Sequence, residues 1–215
     1  MTRGGLAVVL AAFVVLGVDG ARATDVRPGQ EIAAGDPIAG KEKSQANVCQ
    51  ECHTADGNST PPEYPKLAGQ HVGYLHKQLR DFQSGQRKHQ VMNAMADSIP
   101  DEDLADIAAY FSTTPVMRGA ARVESPVGKA LFLNGDAARD VPACAGCHGA
   151  DGKGLHGSDS AGPVIGGQHR FYLRAQLLDW RGGVRTNSES GVMNSVTRQL
   201  TATEIEALAE YLAGL

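Results

Sequence analysis

The residues able to do chemistry sit in two short segments. Val48-Cys49-Gln50-Glu51-Cys52-His53 sets two thiols three positions apart with an imidazole directly after the second, and Ala143-Cys144-Ala145-Gly146-Cys147-His148 repeats the arrangement. All four cysteines of the chain are used in these segments. None is left for a bridge between distant parts, the usual role of cysteine in an exported protein. A Cys-x-x-Cys pair suits a zinc site, a dithiol redox couple or the thioether attachment of a porphyrin. One four-cysteine zinc site would require two pairs far apart in the chain to converge on a single ion. A dithiol couple belongs beside a βαβ unit, and the pattern here has none. Neither has any need of the histidine. Two thiols so spaced at the start of a helix can each add to one vinyl group of a haem, and the next residue's imidazole then falls where it ligates the iron. The two segments are therefore read as two covalent haem c sites, attached at Cys49, Cys52, Cys144 and Cys147, with His53 and His148 as iron ligands.

The sixth iron position decides between electron transfer and small-molecule chemistry. Met92, Met95, His71, His76 and His89 are the candidates in the first half of the chain, and an internal repeat sorts them. Asp56-Gly57 recurs as Asp151-Gly152, and the stretch from Pro65 to Arg87 lies over the stretch from Pro163 to Arg185, sharing Gly-Gln-His, Tyr-Leu and Gln-Leu. Val91-Met92-Asn93 recurs as Val192-Met193-Asn194. Met95 falls opposite Val196, His76 opposite Arg174, and His89 opposite Asn187 or Ser190, none of which ligates iron. Two pairs survive: Met92 with Met193, and His71 with His169. The histidines begin a helix whose apolar face points elsewhere and are read as capping or surface groups, which leaves bis-histidine ligation as the rival to methionine. The carbonyls of Pro65, 12 residues after His53, and Pro163, 15 after His148, are expected to accept the Nδ1 proton of the ligating histidines.

The elements that must position these groups read as helices. Leu75, Leu79 and Phe82, matched by Leu173, Leu177 and Trp180, share one helical face. Leu104, Ile107, Ala108 and Phe111, matched by Ile205, Leu208, Ala209 and Leu212, form a closing helix in each half, started by a Thr201/Glu204 capping box in the second and by Pro100 with Asp101 to Asp103 in the first. Short helices are expected around Ile38 to Ala46 and Val127 to Leu133. Between these elements run Gly- and Pro-rich loops. With five Phe, one Trp and five Tyr in the whole chain, each half has little apolar bulk for a core. The composition thus calls for a large apolar body that the chain itself lacks.

The first 23 residues read as a secretory signal: Arg3, an apolar run from Leu6 to Val18 and a small-x-small site at Ala21-Arg22-Ala23. The run is shorter than the ~20 residues that span a membrane. Its removal takes Arg3, Arg22 and Asp19 with it and makes the net charge of −4 one unit more negative. No basic patch appears, which argues against a nucleic-acid partner, whereas an acidic surface suits a partner with a positive docking face.

With Cys-x-x-Cys-His near the start, a loop proline, a distal methionine and a closing amphipathic helix, each half resembles a class I cytochrome c domain. The tandem order, Asp103 to Phe111 ("DLADIAAYF") and Gly166 to His169 ("GGQH") are similar to the two-haem cytochrome c4 family. The resemblance implies an all-α fold of two tandem class I cytochrome c domains, each a few short helices wrapped around a covalent haem. The boundaries would be 1–23 signal peptide, 24–115 first domain and 116–215 second domain. It also implies two haem c groups, with axial ligands His53 and Met92 in one half and His148 and Met193 in the other. By that resemblance the protein is a periplasmic electron carrier rather than an enzyme, soluble or loosely held at the membrane. It would pass single electrons to redox protein partners such as a membrane oxidase or reductase. The alternatives are a dihaem enzyme of peroxidase or thiosulfate-oxidising type and the cytochrome subunit of a dehydrogenase.

Overall fold

In each half, a helix with a bare glycine edge crosses the closing helix, and everything else is hung from that crossing. The computed structural model describes residues 1, 35–119, 124–155 and 162–215; the expected signal segment lies outside them. Helix α1 (Pro37–Ala46) starts at Asp36, whose carboxylate accepts from the N–H groups of Ile38 and Ala39, as an N-cap should. Short α2 (Cys49–His53) follows. Helix α3 (Val72–Gln83) turns its Leu75 and Phe82 inward, and α4 (Gln90–Asp97) carries Met92. A 3-10 turn over Asp101–Asp103 leads into α5 (Leu104–Thr113).

The second half repeats the order with α6 (Pro126–Asn134), α7 (Ala145–His148), α8 (Arg170–Gly182), α9 (Val192–Arg198) and α10 (Ala202–Ala213). A 3-10 turn over Ala137–Arg139, closed by one antiparallel bridge between Asp136 and Val141, occupies the longer stretch before its cysteines. Among the described residues there is no strand beyond that bridge and no helix long and apolar enough to cross a membrane.

Helices α1 and α5 approach until a Cβ on Gly40 would lie 1.9 Å from the Asp106 carbonyl oxygen, and α6 and α10 until one on Gly128 would lie 2.0 Å from that of Ala207. Only glycine fits there. Lys43 then clamps the first crossing, its Nζ 2.8 Å from Asp103 and 2.5 Å from Asp106. Around each crossing lies a small core. Leu75, Ile99, Leu104, Ile107, Ala108 and Phe111 form it in the first half, and Leu131, Phe132, Val141, Leu173, Leu200, Ile205, Leu208, Ala209 and Leu212 in the second. Cys49 and Cys144 pack on the edges of these cores, so each attachment segment begins where the protein's own apolar packing stops.

The halves belong to one compact unit. Gln70 and the Val164 backbone exchange two hydrogen bonds, at 2.8 and 2.9 Å, while Gln168 and the Lys66 backbone exchange two more, both at 2.9 Å. Each glutamine of the repeated Gly-Gln-His therefore pairs with the main chain of the opposite half. Ala68, the linker residue Met117 and Val164 bury a small apolar cluster between them.

Candidate haem-attachment sites

Helix α2 is entered through Val48 at φ 51° and left through Thr54 at φ 63°. Both are β-branched residues in left-handed backbone, a conformation that persists only where the surroundings impose it. The short turn between them fixes Cys49 and Cys52 on one side and buries His53, which is 7 % exposed. In the second half Gly149, at φ 76°, stands where Thr54 does, and His148 is 8 % exposed.

Each buried imidazole has one fixed partner. Nδ1 of His53 lies 2.9 Å from the Pro65 carbonyl oxygen and Nδ1 of His148 lies 3.0 Å from that of Pro163. A carbonyl only accepts, so Nδ1 carries the proton and Nε2 keeps its lone pair for an electrophile. Burial pushes both imidazoles below the usual histidine range, against the pull of the carbonyl bond. Neutral rings with a free Nε2 are what iron ligation requires.

The repeated Asp-Gly explains how the prolines reach their places. The Gly57 carbonyl accepts from the N–H groups of Leu67 and Ala68 at 2.7 and 3.1 Å, and the Gly152 carbonyl from those of Ile165 and Gly166 at 2.8 Å each. Both glycines have positive φ, 76° and 71°. A Cβ on Gly57 would come within 2.8 Å of the Ala68 nitrogen, so that close approach excludes any other residue and pins the loop just after each proline.

No disulfide joins either cysteine pair. Burial pushes the Cys49 and Cys144 thiols up to about 11, which suits neither a thiolate metal ligand nor a reactive dithiol. Among the described residues no three His, Cys, Asp or Glu side chains gather as they would around a metal ion. Two unbridged cysteines, the first of each pair at the edge of an undersized apolar core, beside a neutral imidazole, fit haem c.

Met92 and Met193 occupy the same place on α4 and α9. Both are half-buried and neither belongs to a core cluster, unlike Met117, which is fully buried filler. Each has its own N–H held by a side chain at the helix entrance: His89 Nδ1 accepts from Met92, and Ser188 Oγ from Met193, both at 3.2 Å. His89 is thus the N-cap of the helix that bears Met92.

His71 and His169 depart from expectation. They stand at the N-cap positions of α3 and α8, yet neither side chain caps its helix. His169 reaches into the first half instead, its Nε2 2.8 Å from the Ser59 carbonyl and 3.1 Å from the Ser59 hydroxyl. His71 packs against Gly154 of the second half, so closely that a Cβ there would lie 2.1 Å from its Nε2. The repeated Gly-Gln-His is an interdomain motif. A single chain shows its periodicity, but contact with a residue more than eighty positions away leaves no local pattern.

Known proteins share this two-domain organisation. The family model described as "Cytochrome c" matches residues 38–115 and again 127–215. Cytochrome c4 of Pseudomonas aeruginosa is 43% identical over 85% of this chain and 90% of that protein. The crystal structure of reduced recombinant cytochrome c4 from Pseudomonas stutzeri superposes with a TM-score of 0.78 at 42% identity, over 85% of this chain and all of that one. A protein of Stutzerimonas stutzeri named thiosulfate dehydrogenase electron acceptor is 36% identical over 79% of this chain and 80% of its own length.

Proposed function

The chain belongs to the cytochrome c4 family, two cytochrome c domains in one polypeptide that carry two covalent haem c groups and transfer electrons, and on that premise we propose its ligands, its partners and its compartment. Cys49 and Cys52 hold one haem and Cys144 and Cys147 the other, with His53 and Met92 as axial ligands in the first half and His148 and Met193 in the second. The observation that carries the reading is the twin contact from Nδ1 to a proline carbonyl, 2.9 Å at His53 and 3.0 Å at His148.

The haem supplies a one-electron Fe(III)/Fe(II) couple. The chain's own residues set how that couple behaves. A carbonyl that accepts from Nδ1 fixes the ring's tautomer and orientation and makes Nε2 a stronger donor. A methionine thioether is soft and neutral and favours Fe(II), so it raises the potential relative to a second histidine. With His53 and Met92 held for one iron and His148 and Met193 for the other, the chain would offer a substrate no ligand position, and its role would be to carry electrons rather than to make or break substrate bonds.

The mature chain would run from Thr24, with domains over 24–115 and 116–215, after a signal peptide that sends it to the periplasm. Its acidic surface suits a partner with a positive docking face, and we assign it a membrane oxidase or reductase as downstream partner. The relative named thiosulfate dehydrogenase electron acceptor favours a second reading of the upstream side, in which the donor is a soluble dehydrogenase.

Met92→Ala and Met193→Ala test the ligand set. Each is expected to remove the near-infrared sulfur-to-iron band of one ferric haem and to lower that haem's potential while sparing the other. Retention of both bands in either variant contradicts it.

A further inference from the structure

Two arginines are buried where the halves meet, and no carboxylate among the described residues forms an ion pair with either. Arg87, in the loop after α3, is 8 % exposed, and Arg185, in the loop after α8, is 7 % exposed. Each guanidinium lies over an aromatic ring of its own half, 4.7 Å from the centre of Phe82 and 4.3 Å from that of Trp180. Each donates within its own half, Arg87 to Gln78 Oε1 at 2.8 Å and Arg185 to Gln176 Oε1 at 2.7 Å and Asn187 Oδ1 at 2.9 Å, and each also donates across to the other half. Arg87 donates to the Tyr172 hydroxyl and to Gln176 Oε1, both at 2.8 Å. Arg185 donates to the Tyr74 hydroxyl at 3.2 Å and to Gln78 Oε1 at 2.9 Å. The pattern is reciprocal, each half supplying one arginine, a tyrosine hydroxyl that receives the other half's arginine and a glutamine that receives both.

A guanidinium cannot shed its charge and donates in a rigid plane, so once buried it tolerates few arrangements of its neighbours. What it restrains is visible at its own carbonyl. Asn93 Nδ2 donates to the carbonyls of Phe82 and Arg87 at 2.6 and 2.8 Å, and its Oδ1 accepts from the His89 N–H at 2.6 Å. Asn194 Nδ2 donates to those of Trp180 and Arg185 at 2.7 and 2.9 Å. These asparagines directly follow Met92 and Met193. A short chain of contacts thus runs from the Tyr172 hydroxyl through Arg87 and Asn93 to the Met92 segment, and an equivalent one from Tyr74 through Arg185 and Asn194 to Met193.

We propose that Arg87 and Arg185 are positioning residues through which each half of the protein holds the distal methionine of the other. The inference rests on the methionine ligation proposed above. Separation or distortion of the halves, as on docking a partner, would then loosen both thioether ligands together.

The test uses the full-length holoprotein and three conservative variants, two of them at the tyrosines, because each tyrosine hydroxyl serves only the opposite half's arginine. Imidazole is titrated into the ferric protein, and the methionine methyl proton signals report its entry at each iron, assigned beforehand with Met92→Ala and Met193→Ala. Tyr172→Phe, in the second half, is expected to raise imidazole affinity at the first haem by about fivefold and to leave the second unchanged. Tyr74→Phe is expected to do the reverse. Arg87→Lys, which keeps the charge and loses the planar fork, is expected to act as Tyr172→Phe does. Affinities unchanged at both haems in all three variants, or altered by a tyrosine substitution at the haem of that tyrosine's own half, would overturn the proposal while the sulfur-to-iron band of the unsubstituted protein still stood. Absence of that band in the unsubstituted protein would overturn the ligand assignment and this inference with it.

Discussion

At the scale of single residues, the two attachment sites solve one problem with unequal backbone comfort. Val48 and Thr54 sit in left-handed conformations that β-branched side chains resist, whereas the second site has Gly149 at the position of Thr54. Thr54 gains something in return, since its hydroxyl lies 2.6 Å from Asp56 Oδ1 and helps hold that carboxyl below the usual range. Val48 is half exposed and has no such compensation. Val48→Asn, a residue that accepts this backbone, is expected to stabilise the holoprotein by about 1 kcal/mol, read from its chemical denaturation midpoint; a lower midpoint would show that the valine side chain supports the site. The buried His53 and His148 and the proline carbonyls they meet were legible in the sequence because the motif and its spacing are local. His71 and His169 were not, because their partners lie in the other half, where only the fold brings Ser59 and Gly154 to them.

At the scale of elements, the crossings of α1 with α5 and of α6 with α10 determine where the attachment turns begin. A Cβ at Gly40 would penetrate the Asp106 carbonyl, so Gly40→Ala must push the helices apart and is expected to cost about 2–3 kcal/mol, the upper part of the range for overpacking. Unchanged stability would mean that the crossing relaxes without strain. The capping box at the start of α10 is present as the sequence indicates, with Glu204 accepting from the Thr201 N–H at 2.8 Å. Arg139, 2.5 Å away, and then Thr201 hold the Glu204 carboxyl down to about 2, well under its ordinary 4.5. A depressed folded-state pKa stabilises above the unfolded value, and that contribution is lost as pH falls from about 4.5 toward 2. Glu204→Gln is accordingly expected to flatten the acid limb of the stability profile in that window; an unaltered limb would count against the pairing. The long helices were readable because their apolar faces repeat over three turns. Helices α2, α4, α7 and α9 are too short for any period to register, and their positions come from caps and from neighbours.

At the scale of the whole molecule, a duplicated chain has become one compact unit joined mainly by polar contacts. The paired Gln70 and Gln168 and the crossed Arg87 and Arg185 obey the same approximate two-fold relation, which follows from repeated sequence meeting itself. The duplication and its all-helical class could be read before any coordinates, since identical motifs recur in identical order. The interface could not, because its glutamines, tyrosines and arginines are ordinary polar residues until the halves are brought together. The small cores of the two halves explain why this protein needs its cofactors for bulk as well as for chemistry. The account is tested most directly by a potentiometric titration of the visible α-band with near-infrared ligand-field spectra of the same sample. Two one-electron couples, each with a sulfur-to-iron band in the ferric state, are expected. A single couple, or a ferric iron with water or a second histidine in place of the thioether, would contradict it.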